Sequence, residues 1–370
     1  MEQKILEGNI NEGLLEHQLE TAQLYNILLV CDKSFQHLPY ADVVRTLPQV
    51  KRIFSDFISN PTYESVQAGV YAFREEKCDG IVAIGGGSAI DMAKCIKLFC
   101  RRYDQYLDQP YMDTGVHLIA VPTTAGTGSE STHFAVIYRD GKKLSVAHPS
   151  IVPNVALLDA TALDTLPAYQ KQCTLLDAIC QSIESWWSVN AIEQSKAYSK
   201  AALSALIQNY KAYLNGDFSA AKHMMRAANL AGRAINIAQT TAPHAMSYQL
   251  TKMFQIPHGH AVAVCLPGVW RYISEHMGQS ILPGGTAMLQ RILEEIAHSM
   301  GCENAVTAIA RFERMLKEFE LAVPQMTDDQ LDQLANSVNL QRLKNNPVAL
   351  DSATLRLLYQ EAITQLGMRG

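Results

Sequence analysis

Nowhere in this chain do about 18 uncharged apolar residues run together, the length a helix needs to cross a bilayer. The start, MEQKILEGNI, has no apolar stretch behind a basic one. No secretory leader is read there, and the cytoplasm is the expected compartment. Charge is sparse and nearly balanced, with 18% of residues Asp, Glu, Lys or Arg and a formal net charge of -5. That excludes the basic footprint of a nucleic-acid-binding protein. The eight cysteines make no CxxC pair and no zinc-finger spacing, so they read as reduced core thiols. No motif in the sequence marks one of them as a nucleophile. Repeats, low-complexity tracts and Gly/Ser linkers are missing as well. What is present is a chain of 370 residues, 48% hydrophobic, which is long enough for two cores.

The first part alternates apolar runs with helical patterns. Tyr25 to Cys31, Gly80 to Ile84 and His117 to Val121 read as buried strands, and strands alternating with helices imply a parallel, doubly wound sheet. Between Phe134 and Val146 the pattern changes to a hairpin turning at Asp140-Gly141, a strong two-residue turn signal, and this hairpin is expected to close the domain. Beyond Asp159 strand signals stop, and segments from Ala168, Ala197, Ala220, Pro243, Met288, Ala305 and Thr327 carry helical spacing. The expected division is a Rossmann-like dinucleotide-binding domain over 1–160 and an all-helical domain over 161–370.

Two loops after strands carry the first chemistry. The run Gly85-Gly86-Gly87-Ser88 leads straight into a helix; glycines let a ligand approach the backbone, and the helix N-terminus offers free N–H groups to a diphosphate. The second loop, Pro122 to Glu130, offers Thr123, Thr124, Thr127 and two glycines after the next strand, at the edge where such sheets bind nucleotides. A tight turn and an ordinary Ser/Thr loop are the plainer readings. Asp32, just after the first strand, can accept from an adenosine ribose and repel a 2′-phosphate, or simply cap a helix.

In the helical half, Asp177, Gln181 and Glu184 fall at i, i+4 and i+7 on one helix face in an apolar stretch. Buried carboxylates need a partner, either a cation or a salt bridge. Pro243-His244 and Pro257-His258-Gly259-His260 follow, and with Asp177 and Gln181 they make an Asp/Gln/His/His metal site conceivable. His260 lies about 200° around a helix from His258 and reads as a structural group.

These residues resemble the iron-dependent (group III) alcohol dehydrogenase family in four blocks, in the family's order: GGGSAIDMAK (85–94), PTTAGTGSE (122–130), LLDAICQSIES (175–185), and HAMSYQL with PHGH (244–260). The resemblance implies a dinucleotide-binding domain, a helical domain and a divalent metal in the cleft, with a homodimer as the expected assembly. It matches Asp177, His244 and His258, with Gln181, to metal ligands. Gly86, Gly87, Ser88, Asp91, Thr123, Thr124 and Thr127 match contacts to NAD(H) or NADP(H). Gln181 stands where the family usually has histidine; an amide oxygen is harder and weaker than imidazole, which disfavours zinc relative to iron, manganese or magnesium, and the resemblance makes iron the expected metal. Tyr248 replaces another histidine of many members, one turn after His244, where a phenol can bond the substrate or relay its proton.

Within the family, the runs STHFAVIY, CQSIESWWSVN and PHGHAVAVCLP are most similar to phosphonoacetaldehyde reductases. The implied reaction is reduction of a short aldehyde, with His133, Arg233 and Lys252 as equal candidates to hold a phosphonate. An NAD-using sugar-phosphate cyclase and a non-catalytic nucleotide-binding protein are the alternatives.

Overall fold

The computed structural model describes residues 3–101, 110–321 and 323–366. The chain divides into two compact units. One holds the chain up to Pro167 together with Asn215–Gly232, and the other holds Ala168–Leu214 and the chain from Arg233 onward.

The first unit is built on strands β1 (Lys4–Glu7), β2 (Ile27–Cys31), β3 (Val50–Phe54), β4 (Gly80–Gly85), β5 (His117–Pro122) and β8 (Val155–Leu158), all parallel, in the order β1-β8-β5-β4-β2-β3. Strands β6 (Phe134–Arg139) and β7 (Lys142–Ala147) form a separate antiparallel hairpin. Helices α1 (Leu14–Thr21), α2 (Ala41–Arg45), α3 (Tyr63–Glu75) and α4 (Gly87–Phe99) connect the strands. Both sheet faces are buried, as a parallel sheet requires. The pleat sends Leu28, Val30, Ile81, Ala83, Leu118 and Ala120 into one core with Val70 and Phe73 of α3 and Ile90 and Ile96 of α4. The alternate residues Ile27, Leu29, Val82, Ile84, Ile119 and Val121 enter a second core with Leu15 and Leu19 of α1.

The hairpin turns at Asp140 and Gly141, both with positive φ (51° and 69°), as its two-residue turn demands. It does not close the sheet, because β8 follows it and pairs between β1 and β5. The first expected strand is also shorter: it begins at Ile27, since the Asp79 carboxylate holds the N–H groups of Tyr25 (3.0 Å) and Asn26 (3.1 Å) ahead of it.

The second unit and its neighbour segment are helical: α5 (Ala168–Trp187), α6 (Glu193–Leu214), α7 (Phe218–Ala238), α8 (Ala242–Phe254), α9 (His258–Glu275), α10 (Gly285–Ser299), α11 (Ala305–Glu318), α12 (Asp328–Ser337), α13 (Leu340–Leu343) and α14 (Ser352–Leu366). The division of the chain falls inside α7, between Gly232 and Arg233. Among the described residues no helix is long and apolar enough to cross a membrane. The cysteines are free, and all but Cys302 are buried. Burial pushes the Cys31 and Cys78 thiols up to about 12, away from thiolate chemistry.

Candidate cofactor cradle and metal centre

The cradle forms where β4 and β5 end. Gly85 adopts a φ of 156°, and a Cβ there would lie 2.6 Å from Ala89 Cβ, so only glycine fits. Helix α4 starts at once, with Gly86 as an N-cap that offers no side chain; its first N–H groups and positive dipole end are left for an anion. A Cβ on Gly86 would meet nothing nearer than Thr124 at 3.7 Å, and one on Gly87 would come within 3.1 Å of Thr127. Thr123 N–H donates to the Gly85 carbonyl (3.1 Å). The structure therefore brings Gly86, Gly87, Ser88, Thr123, Thr124 and Thr127 together in one surface. Ser88 Oγ also accepts from Asn60 N–H (3.4 Å).

Asp32 follows β2 and caps the turn Lys33–His37, its Oδ1 accepting from Ser34 N–H (2.7 Å). Its Oδ2 lies on the other side, next to Gly85, so capping leaves an oxygen at the cradle's edge.

Asp91 is placed differently from its neighbours in the motif. Its Oδ1 accepts from Ser129 Oγ (2.5 Å) and its Oδ2 from Val136 N–H (2.9 Å), so both oxygens support the second loop and β6. Beside it Lys94 is fully buried, donating to Ser129 Oγ (3.0 Å), Thr132 Oγ1 (2.8 Å) and the Phe134 carbonyl (2.9 Å). Burial holds this ammonium down to about 8 against the pull of Asp91 and Glu130. The loop is also pinned by Asn229, which donates to Glu130 (3.0 Å) and Ser131 (2.7 Å). At Gly128 (φ 61°) a Cβ would sit 2.4 Å from Gly232 Cα. Neither Asn229 nor Gly232 stands out in the sequence; small size at a backbone crossing carries no motif.

The metal-type cluster lies in the second unit, where single donor atoms of Asp177, His244 and His258 all fall within 4.8 Å of one another. Asp177 comes from the middle of α5, His244 from the first turn of α8 and His258 from the first residue of α9. Proline at the start of α8 and just before α9 suits these positions. Gly259 allows the approach: a Cβ on it would lie 2.0 Å from the Cys173 carbonyl oxygen and 3.0 Å from Asp177 Cβ.

The third polar group of the α5 face, Glu184, is fully buried and gathers donors from α8. It accepts from His244 Nδ1 (2.5 Å), Thr241 N–H (2.8 Å), Thr241 Oγ1 (3.1 Å) and His244 N–H (3.4 Å). A carboxylate can only accept here, so Nδ1 carries a hydrogen and the neutral ring presents the lone pair of Nε2. That lone pair faces Asp177 Oδ1 at 3.3 Å, and Oδ1 accepts no well-formed hydrogen bond from a described residue. Two electron-rich buried atoms so placed need a cation between them. A proton is one: burial disfavours the charged ring, but Glu184 and Asp177 outweigh it and raise His244 to about 9. Burial would likewise raise Asp177, yet the neighbouring histidines and Gln181 hold its carboxyl below the usual range.

Gln181 is buried one turn along α5 from Asp177. Tyr248 stacks on His258, the rings 2° from parallel with centroids 5.6 Å apart, and its Oη accepts from Arg342 Nη1 (2.8 Å). Of the other residues singled out, His260 bonds Tyr169 Oη (2.8 Å) and is not among the clustered donors. Arg233 donates to Tyr198 Oη (2.6 Å), Lys252 is exposed on α8, and His133 packs edge-on against Phe134.

Residues 3–160 match the family model described as iron-containing alcohol dehydrogenase, and residues 172–363 match its C-terminal companion. The chain belongs to the iron-containing alcohol dehydrogenase family. A phosphonoacetaldehyde reductase from Streptomyces viridochromogenes is 32% identical over 320 residues, covering 81% of this chain and 80% of that one. An aldehyde-alcohol dehydrogenase from Entamoeba histolytica is 34% identical over 283 residues, 70% of this chain but only 32% of that longer protein. In fold, the chain is similar to sulfoacetaldehyde reductase from Bifidobacterium kashiwanohense in complex with NAD+, with a TM-score of 0.88 at 24% identity, covering 100% of this chain and 98% of that one.

For an iron-containing alcohol dehydrogenase the donor set fits the expected metal. Two imidazoles at helix starts and one carboxylate from the middle of a helix suit a divalent ion with open positions, and Glu184 behind His244 is the hydrogen-bonded support such ligands carry. The cradle likewise fits a dinucleotide, since a Cβ at Gly85 would be blocked while Gly86 stands open.

Proposed function

We propose that this family member is an NADH-linked, metal-dependent reductase of a short aldehyde bearing an anionic group, with phosphonoacetaldehyde as the substrate and 2-hydroxyethylphosphonate as the product. The reaction consumes one aldehyde, one NADH and one proton and yields the alcohol and NAD+. The observation that carries the reading is the Asp177–His244–His258 cluster with its facing donor atoms. The phosphonate rests on the relative that the chain matches over four fifths of both lengths.

Iron is the metal proposed, and Asp177, His244 and His258 would hold it, with Gln181 as a weak fourth ligand or a neighbour of Asp177. When bound, metal and nicotinamide supply Lewis acidity toward a carbonyl oxygen and a hydride for its carbon. The protein's own groups do the rest. Glu184 fixes the His244 ring so that Nε2 stays a ligand atom. Tyr248, whose oxygen already accepts from Arg342, keeps its hydroxyl hydrogen to donate to the product oxygen. The N–H groups of Gly86, Gly87 and Ser88, with Thr123, Thr124 and Thr127, take the cofactor's diphosphate. Asp91 acts from beneath, by holding the second loop. Asp32 takes the ribose and favours NAD over NADP.

Metal analysis of anaerobically purified protein, coupled to NADH oxidation with phosphonoacetaldehyde beside propanal, tests the reading. Stoichiometric metal with preference for the phosphonate is expected; turnover of propanal alone discards the substrate, and neither metal nor turnover discards the enzyme. His258→Ala should lose metal and turnover together; full retention of both would refute the ligand assignment.

A further inference from the structure

The reductase reading calls for a cation near the cluster, because an anionic tail is costly to desolvate unpaired. Of the three cationic side chains singled out in the sequence, Arg233 is bonded to Tyr198, His133 packs on Phe134, and Lys252 is exposed. Arg342, 94 residues from Tyr248 in sequence, is instead held against Tyr248, the residue stacked on His258 of the cluster.

Its guanidinium donates through Nη1 to Tyr248 Oη (2.8 Å), with Cζ 5.0 Å from the ring centroid. The Tyr248 ring in turn lies parallel to His258. One aromatic ring thus contacts both a fixed positive charge and an imidazole of the cluster. Many arginines of the chain answer a carboxylate, as Arg226 does with Glu7, Arg271 with Glu313 and Glu361, and Arg356 with Asp328 and Asp332. Arg342 pairs with no carboxylate among the described residues. A guanidinium has five N–H donors in a fork matched to oxyanions, and one bond to Tyr248 leaves most of that fork unused.

The support under Arg342 is rigid. Asn339 caps α13, accepting from Gln341 N–H (2.9 Å). Three residues beyond Arg342, Asn345 donates to Gln239 Oε1 (3.0 Å) and to the Thr240 carbonyl (3.2 Å), and accepts from Asn190 (2.9 Å). The Asn345 carbonyl also takes the Val189 N–H (2.9 Å). These bonds tie the backbone that carries Arg342 to the chain just beyond the ends of α5 and α7, which lowers the ordering cost of binding on that segment.

We propose that Arg342 reads the charge of the substrate: its guanidinium, steadied by Tyr248, binds the terminal oxyanion of a two-carbon aldehyde whose carbonyl lies at the Asp177–His244–His258 cluster. The proposal rests on the reductase reading and deepens it by assigning the anion subsite. The recognised chemistry is a tetrahedral or planar oxyanion, and the ligands compared below distinguish phosphonate from sulfonate.

The test uses the metal-loaded protein and the variants Arg342→Met, Arg342→Lys and Lys252→Met. For turnover, kcat/KM is measured for phosphonoacetaldehyde, sulfoacetaldehyde and propanal. Arg342→Met should lower the ratio of anionic to neutral kcat/KM roughly tenfold to a hundredfold, the loss expected for a charge-assisted bond. The loss should be carried by KM, with bound metal unchanged, and Arg342→Lys should recover part of it; Lys252→Met should leave the ratio alone. Equal losses for anionic and neutral aldehydes would mean that Arg342 only positions Tyr248, and would overturn the proposal while leaving the reductase standing. For binding, calorimetry with phosphonoacetate, which cannot be reduced, reads the subsite without turnover. If the wild-type protein reduces no aldehyde, the reductase reading fails, and the same calorimetric affinity in wild type and Arg342→Met would overturn the subsite as well.

Discussion

Glu184→Gln isolates the electrostatic logic of the cluster, because it changes one oxygen of a buried group and almost no volume. Three of the four donors on Glu184 (Thr241 N–H, Thr241 Oγ1 and His244 N–H) address Oε2. Two of those are backbone groups that cannot turn away, so the glutamine carbonyl must take that place. Its NH2 group is then left facing His244 Nδ1, which the glutamate contacts at 2.5 Å. Two donors cannot share that contact. The ring resolves it by moving its hydrogen to Nε2, where it points at Asp177 Oδ1, 3.3 Å away. A His244 in that state has no lone pair on Nε2, the atom that faces Asp177. Binding must reverse the tautomer and give up a good contact, and losses of this kind weaken metal affinity by about tenfold to a hundredfold, or roughly 1.4 to 2.8 kcal/mol. Anaerobic titration with Fe2+ and Co2+ against a competing chelator measures this directly, with circular dichroism confirming that the helices persist. A folded Glu184→Gln protein whose affinity stayed within about threefold of wild type would refute the tautomer argument, since the expected loss starts at tenfold.

Gly259→Ala would place a Cβ 2.0 Å from the Cys173 carbonyl oxygen, a backbone atom that cannot rotate away. We expect a loss of at least about 1–3 kcal/mol in stability together with loss of bound metal, read by melting and metal analysis; a fully metallated, equally stable variant would contradict it. The metal-free protein should show a pH dependence that metal removes. His244 titrates at about 9 when folded against 6.5 when free. A raised pKa stabilises the fold fully below about 6.5, and that contribution is lost as pH rises through about 9. The melting temperature of chelator-treated protein should therefore fall across this window more steeply than that of metal-loaded protein; parallel curves would argue against proton and metal sharing one place.

The division between legible and illegible features follows the range over which each is specified. The central strands were readable because Ile27–Cys31, Gly80–Gly85 and His117–Pro122 are buried on both faces, which forces continuous apolar runs. β1 and β8 have 4 residues each, too few for a period to show, and β3 carries Lys51 and Arg52 along an edge where a side of the strand meets solvent. That is why the hairpin looked like the close of the domain. The same distinction runs through the site. Asp177, Gln181 and Glu184 announced themselves by helical spacing, and the cradle by glycines after a strand, because both patterns are local.

What spacing could not supply is what the fold brings from afar. Glu184 was visible as a buried carboxylate on the metal-ligand face, but its partner, His244 Nδ1, is 60 residues away. Gly259 and Gly232 are ordinary glycines until the Cys173 carbonyl and Gly128 arrive beside them. Arg342 carries no motif, sits in a helix of 4 residues, and acquires meaning only where its fork meets Tyr248. The sequence positions that name the family are thus the ones that build a reaction centre, while the group that would choose among substrates lies outside every motif. A search for substrate preference among relatives of this fold should begin with the cations that tertiary packing sets against the ligand helices, since a single charge there alters which aldehyde is bound without touching the ligands that hold the metal.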